Sequence, residues 1–154
     1  LDERNMEIYR EIKQAENSVA VQVRRGDMAT AGFTSHPVLP EYYLEAMKNS
    51  KFNGAKFFFF SDEPEWVRRE LLPLLTEQTN YRLVDINGSD KGYMDLYLCA
   101  SCRHVISSQG SMGTKAAMLG GTEGTVLVMP QFRQDQRIEE AFLHLEIIKL
   151  LTKD

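Results

Sequence analysis

Apolar positions along the chain follow two rhythms in turn, one helical and one strand-like. Met6–Ala15 carries Ile8, Ile12 and Ala15 at helical spacing. Ser18–Val23 is rich in β-branched residues and reads as a strand. A loop of Gly, Thr, Ser and Pro residues, Met28–Leu39, precedes a helix predicted over Pro40–Asn49. Four consecutive phenylalanines, Phe57–Phe60, are apolar on both faces, as in a strand covered on both sides. Ser61-Asp62-Glu63-Pro64 then opens a helix whose apolar face is Trp66, Val67, Leu71 and Leu74. Further on, the pattern predicts a strand at Tyr81–Val84, a helix at Gly92–Cys102 and a strand at His104–Ser107. A helix at Met112–Leu119, a strand at Thr125–Met129 and a closing amphipathic helix at Ile138–Leu151 complete the chain.

Strands alternating with helices predict an α/β fold, a parallel sheet with helices on both faces. Such sheets bind ligands at the carboxyl ends of their strands. The positions just after Val23, Phe60 and Ser107 qualify, and the distinctive polar residues fall there.

The 154 residues suit a single domain spanning 1–154. With 43% apolar and 26% charged residues the composition is that of an ordinary globular protein. A net charge of −4 argues against a general nucleic-acid partner. No apolar run is long enough to span a bilayer, so no transmembrane segment is expected. The chain begins with Leu and shows no signal peptide, which reads as a processed product or an excised piece. Composition leaves the oligomeric state open. Cys99 and Cys102 have the C-x-x-C spacing of redox and zinc motifs, but they sit inside an apolar periodic run without a second Cys or His pair. They read as small buried residues of one helix.

The first candidate site segment is Arg24-Arg25-Gly26-Asp27. Guanidinium groups match phosphate oxygens in charge and geometry. Neighbouring strand side chains point to opposite faces, so one arginine should meet a ligand. The other should pair with a carboxylate such as Asp27 or support the loop. The competing reading is a solvated basic strand end. The second segment is Ser107-Ser108-Gln109-Gly110-Ser111-Met112-Gly113, between a strand and a helix. Small residues admit close approach of the backbone, and N–H groups at a helix start attract phosphate; a capped tight turn would look the same. Asp62, in Ser61-Asp62-Glu63, reads equally as an acidic cap or a ligand group. Asp95, early in its helix, either complements the helix dipole or reads donors on a base edge.

No Asp-x-Asp is present, and His36, His104 and His144 make no metal-ligand spacing, so no metal is expected. His104 and His144 read as structural. No nucleophile with a partnered base is visible.

Together these segments resemble the α-1,2-fucosyltransferases of glycosyltransferase family 11. Gln22-Val23-Arg24-Arg25-Gly26-Asp27 is similar to the family's His-x-Arg-Arg-x-Asp motif. Phe57 to Trp66 resembles its aromatic strand ending in Ser-Asp-Asp before a Trp-containing helix. Asp95 to Cys102, followed by Gly110 to Leu119, resembles its Asp-containing helix and the Gly-(Ser/Thr)-Phe-Gly turn. Ser107-Ser108-Gln109 is similar to the donor loop of α-1,6-fucosyltransferases.

The resemblance implies a Rossmann-like parallel sheet flanked by helices, the donor half of a GT-B-like fucosyltransferase. It implies GDP-fucose as donor substrate, no other cofactor, and transfer to a galactoside 2-hydroxyl with inversion and without metal. Partners would be a nucleotide sugar and a glycan acceptor. Arg24 would hold the β-phosphate, and Ser108 and Gln109, with Gly110 and Ser111 in the same turn, would add phosphate contacts. Asp95 and Gln22 would face the guanine, while Arg25, Asp27 and Asp62 would support the site. Arg24 and Asp27 are thereby assigned to catalysis. Glu41 and His36 are candidates for a general base.

Gln22 departs from the family histidine, and it cannot become cationic. The resemblance covers the family's carboxyl-terminal, donor-side part, and its amino-terminal, acceptor-side part is expected to be absent. Both points motivate a rival reading, a non-catalytic nucleotide- or glycan-binding module. A membrane-associated enzyme of this family would lie in the bacterial cytoplasm or at its membrane surface, or in a eukaryotic Golgi lumen.

Overall fold

The computed structural model describes residues 2–26, 38–108, 112–131 and 146–151. Helix α1 (Glu3–Gln14) starts at Asp2, whose carboxylate accepts from the Asn5 N–H, and buries Ile8 and Ile12. Strand β1 (Ser18–Val23) follows, and all six of its residues are buried. Helix α2 (Pro40–Met47) leads to β2 (Lys56–Ser61). The short α3 (Pro64–Trp66) widens into a π-helical turn, Val67–Leu71, and tightens into a 3₁₀ turn, Leu72–Leu74. Then come β3 (Asn80–Leu83), α4 (Gly92–Ser101), β4 (His104–Ile106), α5 (Met112–Gly120), β5 (Val126–Gln131) and β6 (Glu146–Leu151). Among the described residues, no helix is long and apolar enough to cross a membrane.

The six strands form one sheet in the order β3-β2-β1-β4-β5-β6, and every pairing is parallel. The order reverses between β1 and β4, the topological switch point of a Rossmann-like fold. Alternation along the strands divides the core in two. Ala20, Phe58, Phe60, Val105 and Leu127 pack with α1, α4 and α5 on one face. Val19, Val21, Phe57, Phe59, Ile106 and Val128 pack with α2 and the π-helical turn on the other. The phenylalanine run is therefore buried from both sides, as its lack of polar alternation predicts.

Two expectations are corrected. The closing helix predicted over Ile138–Leu151 is not formed at its described end. Glu146–Leu151 is instead β6, paired in register with β5 from Val126 to Gln131. Ile147 turns to the first core face and Ile148 and Leu150 to the second, so a short apolar run satisfies a strand as well as a helix. The rest of that predicted helix, with His144, lies outside the described residues. Leu74, expected on the apolar face of the third helix, is 53% exposed. The wide Val67–Leu71 turn shifts the helical phase, and Leu72 and Leu75 pack in its place.

His104 is structural, as expected. It is buried in β4, and its Nδ1 accepts from the Val126 N–H of β5 at 2.9 Å. Cys99 and Cys102 are both buried free thiols. Burial pushes both well above the usual thiol range, which leaves them protonated and unreactive.

Helices α4 and α5 pack through a glycine. A Cβ on Gly120 would fall 1.7 Å from the Ala100 carbonyl oxygen. We expect Gly120→Ala to destabilise the fold by about 1–3 kcal/mol through forced separation of the helices, read from urea midpoints. Unchanged midpoints would refute this close packing.

Candidate functional site

Three polar segments lie at the carboxyl ends of β2, β1 and β4, which are neighbours in the sheet. They are tied together by side chains accepting backbone N–H groups. Asp62, just past β2, takes the Arg25 N–H on Oδ1 at 3.0 Å and the Gly26 N–H on Oδ2 at 2.7 Å. Neither N–H has a strand partner at that point, so the carboxylate shapes the turn as β1 ends. Gly26 leaves room for it, since a Cβ there would sit 3.0 Å from Asp62 Oδ2. Ser61 Oγ donates to the Val23 carbonyl at 2.7 Å and accepts the Glu63 N–H at 2.9 Å. On the other side of β1, Ser108 Oγ accepts the Arg24 N–H at 2.9 Å.

Helix α2 is pinned to the same place. The Tyr42 hydroxyl donates to the Ser107 carbonyl, and the buried Tyr43 hydroxyl hydrogen-bonds to the Ser108 side chain. Burial raises the Tyr43 hydroxyl well above its ordinary range, with the Ser108 bond opposing. Helix α5 starts against the end of β4, because a Cβ on Gly113 would lie 2.4 Å from the Ser107 Cβ. Its N-terminal end therefore borders the β1–β4 switch point.

The two arginines differ, as strand alternation suggests. The Arg25 guanidinium stacks on the Trp66 ring, 3.8 Å from its centroid, with Nε 3.9 Å from Glu63 Oε2. The Arg25 side chain is thus held against Trp66, and the carboxylate beside it is Glu63. The Arg24 side chain is 31% exposed, with Nε 4.0 Å from Asp62 Oδ2. Asp27, Gln109, Gly110, Ser111 and His36 lie outside the described residues. Glu41 is exposed in the first turn of α2.

Gln22, on β1, is only 3% exposed, and its Oε1 accepts from the Cys99 thiol of α4 at 3.7 Å. Asp95 lies one turn before Cys99 on the same helix. Its Oδ1 accepts from Asn87 Nδ2 at 2.8 Å. Burial raises the Asp95 carboxyl to about 6; the Asn87 bond opposes this and the charge of Asp85 adds to it. Gln22 thus faces α4, the helix that carries Asp95, while Arg24, Asp62 and Ser108 gather at the end of β1. Among the described residues, no group of three or more His, Cys, Asp and Glu side chains could hold a metal ion.

Tyr42, Tyr43 and Asn87 carry no signal in the sequence. The tyrosines look like ordinary helix residues after Pro40, and Asn87 like a turn residue before Gly88.

Residues 2–148 match the family model of Glycosyl transferase family 11. The chain belongs to this family. It is also similar to an alpha-1,2-colitosyltransferase from Escherichia coli, with 24% identity over 119 residues. That match covers 74% of this chain and 40% of the relative, so the chain spans well under half of that protein's length.

Two tests follow from this geometry. Asp62→Ala frees two backbone N–H groups and should destabilise the fold by about 1–3 kcal/mol, measured by urea unfolding. A variant as stable as the parent would show that the carboxylate is not needed to hold the turn. The second concerns pH. Burial, with Arg103 and Lys51 adding, lowers His104 from 6.5 to about 4. Between these values the unfolded chain carries a proton on His104 that the folded chain lacks, so this term makes stability rise with pH. Asp95 is raised from 3.8 to about 6, so the folded chain holds its proton and this term makes stability fall as pH rises. Asp95→Asn leaves His104 unopposed. Its stability should climb more steeply than the parent's from about pH 4 to 6, and parallel urea-midpoint profiles would contradict this.

Proposed function

We propose that this chain binds GDP-fucose, and that the enzyme it represents transfers fucose to the 2-hydroxyl of a galactoside, with inversion and without a metal ion. The observation that carries the reading is the set of bonds joining the ends of β2, β1 and β4 at the switch point, around Arg24, Asp62 and Ser108. Dinucleotides and nucleotide sugars bind at such crevices because helix N-termini and small residues there receive a diphosphate.

In this reading the bond between the fucosyl C1 and the β-phosphate oxygen breaks, and the electron pair leaves with GDP. The acceptor oxygen bonds to C1 from the opposite face and gives its proton to a base. Negative charge therefore builds on the departing diphosphate. Arg24 and the N–H groups at the start of α5 are assigned to stabilise it, and Asp62 and Ser108 accept backbone N–H groups of the Arg24–Gly26 turn. Gln109, Gly110 and Ser111 are assigned to the same phosphate turn, and Asp27 to the support of Arg24. Asp95 is assigned to the guanine, whose N1–H and exocyclic amine are donors that a carboxylate can accept. Gln22 borders the same base. The name of the colitosyltransferase relative makes colitose the natural comparison for the transferred sugar.

The burial of Gln22 favours a second reading. A side chain 3% exposed and engaged by Cys99 is poorly placed for acid–base work, which suits a module that binds the nucleotide without turnover.

Calorimetry separates these readings from a plain structural domain. GDP should bind in preference to UDP and ADP, and Arg24→Ala should weaken GDP by about tenfold or more. Equal affinity for all three nucleotides would sink the proposal. Release of GDP with fucose appearing on lactose identifies the enzyme, and nucleotide binding without transfer identifies the module.

A further inference from the structure

A chain of amides runs from the start of α1 to Asp95. The Asp2 carboxylate accepts both the N–H and the side-chain Nδ2 of Asn5 through Oδ1, each at 2.9 Å. A carboxylate beside an amide fixes which way that amide faces, since only the nitrogen can donate. Asn5, 1% exposed, in turn forms a reciprocal pair with Asn87 from the loop after β3. Asn5 Nδ2 donates to Asn87 Oδ1 at 2.9 Å, and Asn87 Nδ2 donates to Asn5 Oδ1 at 2.8 Å. The second hydrogen of Asn87 Nδ2 then has one direction left, and it meets Asp95 Oδ1 at 2.8 Å.

We infer that Asn5 and Asn87 are positioning residues that set the specificity of the nucleotide site, by committing Asp95 to accept hydrogen bonds from a base that presents donors. The inference rests on the reading of Asp95 as the group that meets the base. A donor held against Oδ1 keeps that oxygen an acceptor and leaves any proton to Oδ2. With Oδ2 ionised, the carboxylate can receive the two adjacent donors of guanine. Adenine offers an acceptor at the corresponding ring nitrogen, and that pairing leaves two acceptors face to face. Asn87 therefore favours guanine without touching it. The relay also ties the specificity of the site to α1, whose Asn5 is 82 residues away from Asn87 in sequence.

The charged and titratable groups around the relay are few. Asp85, in the same loop as Asn87, acts on Asp95 and is itself paired with Arg68 at 2.6 Å. Cys99 lies below Asp95 on α4 and stays protonated. Asp2 is at the far end of the relay, with Lys91 Nζ 3.8 Å from its Oδ2. Removing the Asn87 donor leaves burial and Asp85 unopposed, so Asp95 should hold its proton to higher pH.

The test is calorimetric titration of the 154-residue chain with GDP and with ADP from mildly acidic to mildly alkaline pH. The variants are Asn87→Ala, the isosteric Asn87→Asp, and Asp95→Asn, each checked for folding by circular dichroism. In the parent, the GDP-over-ADP affinity ratio should fall as pH drops through about 6. In Asn87→Ala the ratio near neutral pH should fall by about tenfold, with ADP affinity little changed, and its pH midpoint should move upward. Asn87→Asp should move the midpoint further, because it adds a negative charge beside Asp95. Should Asn87→Ala prove unfolded, the Asn87→Asp midpoint decides. A parent ratio lost in Asp95→Asn but kept, with an unmoved midpoint, in both Asn87 variants overturns the relay and leaves the guanine reading intact. A parent that prefers GDP and keeps that preference in Asp95→Asn overturns the inference at Asp95. A parent with no preference removes the guanine reading and the relay with it.

Discussion

The site depends on the Asp62 carboxylate. Strand β1 ends at Val23, and the next two N–H groups to need a partner, those of Arg25 and Gly26, find it on a side chain from the adjacent strand end. That clasp decides where the chain goes after β1. It places Arg24 at the end of the strand, near Ser108, and turns Arg25 back onto Trp66. Without the clasp the double arginine would be a basic strand end in solvent. With it, the two cations have separate environments, one half open and one stacked on an aromatic ring. The clasp also explains why glycine occupies position 26, where a side chain would crowd the carboxylate.

The sheet explains why these residues meet at all. Parallel strands put all their carboxyl ends on one edge, and the order β2-β1-β4 puts three of them side by side. Segments far apart in sequence, around residues 24, 62 and 108, are thereby joined by a few hydrogen bonds. The opposite edge is clasped as well: Ser18 Oγ accepts the Arg103 N–H at 2.8 Å and His104 Nδ1 accepts the Val126 N–H at 2.9 Å. Long-range order in the core makes this possible: the phenylalanine strand is packed from both faces, so the ends of the strands beside it are fixed.

Most of the fold was legible. β-branched and aromatic runs marked β1, β2 and β5 to within a residue or two, because buried parallel strands cannot hide polar residues. Glu146–Leu151 was misread because six residues with four aliphatic side chains fit a helical stripe and an edge strand alike, and only the pairing with β5 chooses. Leu74 was misplaced because a π-helical turn leaves no mark in the apolar spacing. In the candidate site, the meeting of Arg24, Asp62 and Ser108 at neighbouring strand ends was legible because polar residues just after apolar strands are conspicuous. Tyr43, Asn5 and Asn87 could not. Their roles rest on contacts between segments tens of residues apart, and no local pattern encodes such contacts.

The stacking of Arg25 has a spectroscopic side. Trp66 is the only tryptophan in the chain, so the indole emission comes from a single ring. The guanidinium lying across that ring is joined through its own backbone N–H to Asp62, and Asp62 holds the turn beside Arg24. A shift of this turn alters the charge felt by the excited indole, and so the colour and yield of its light. The protein thus contains its own optical probe, stacked on the backbone neighbour of the arginine assigned to the phosphate.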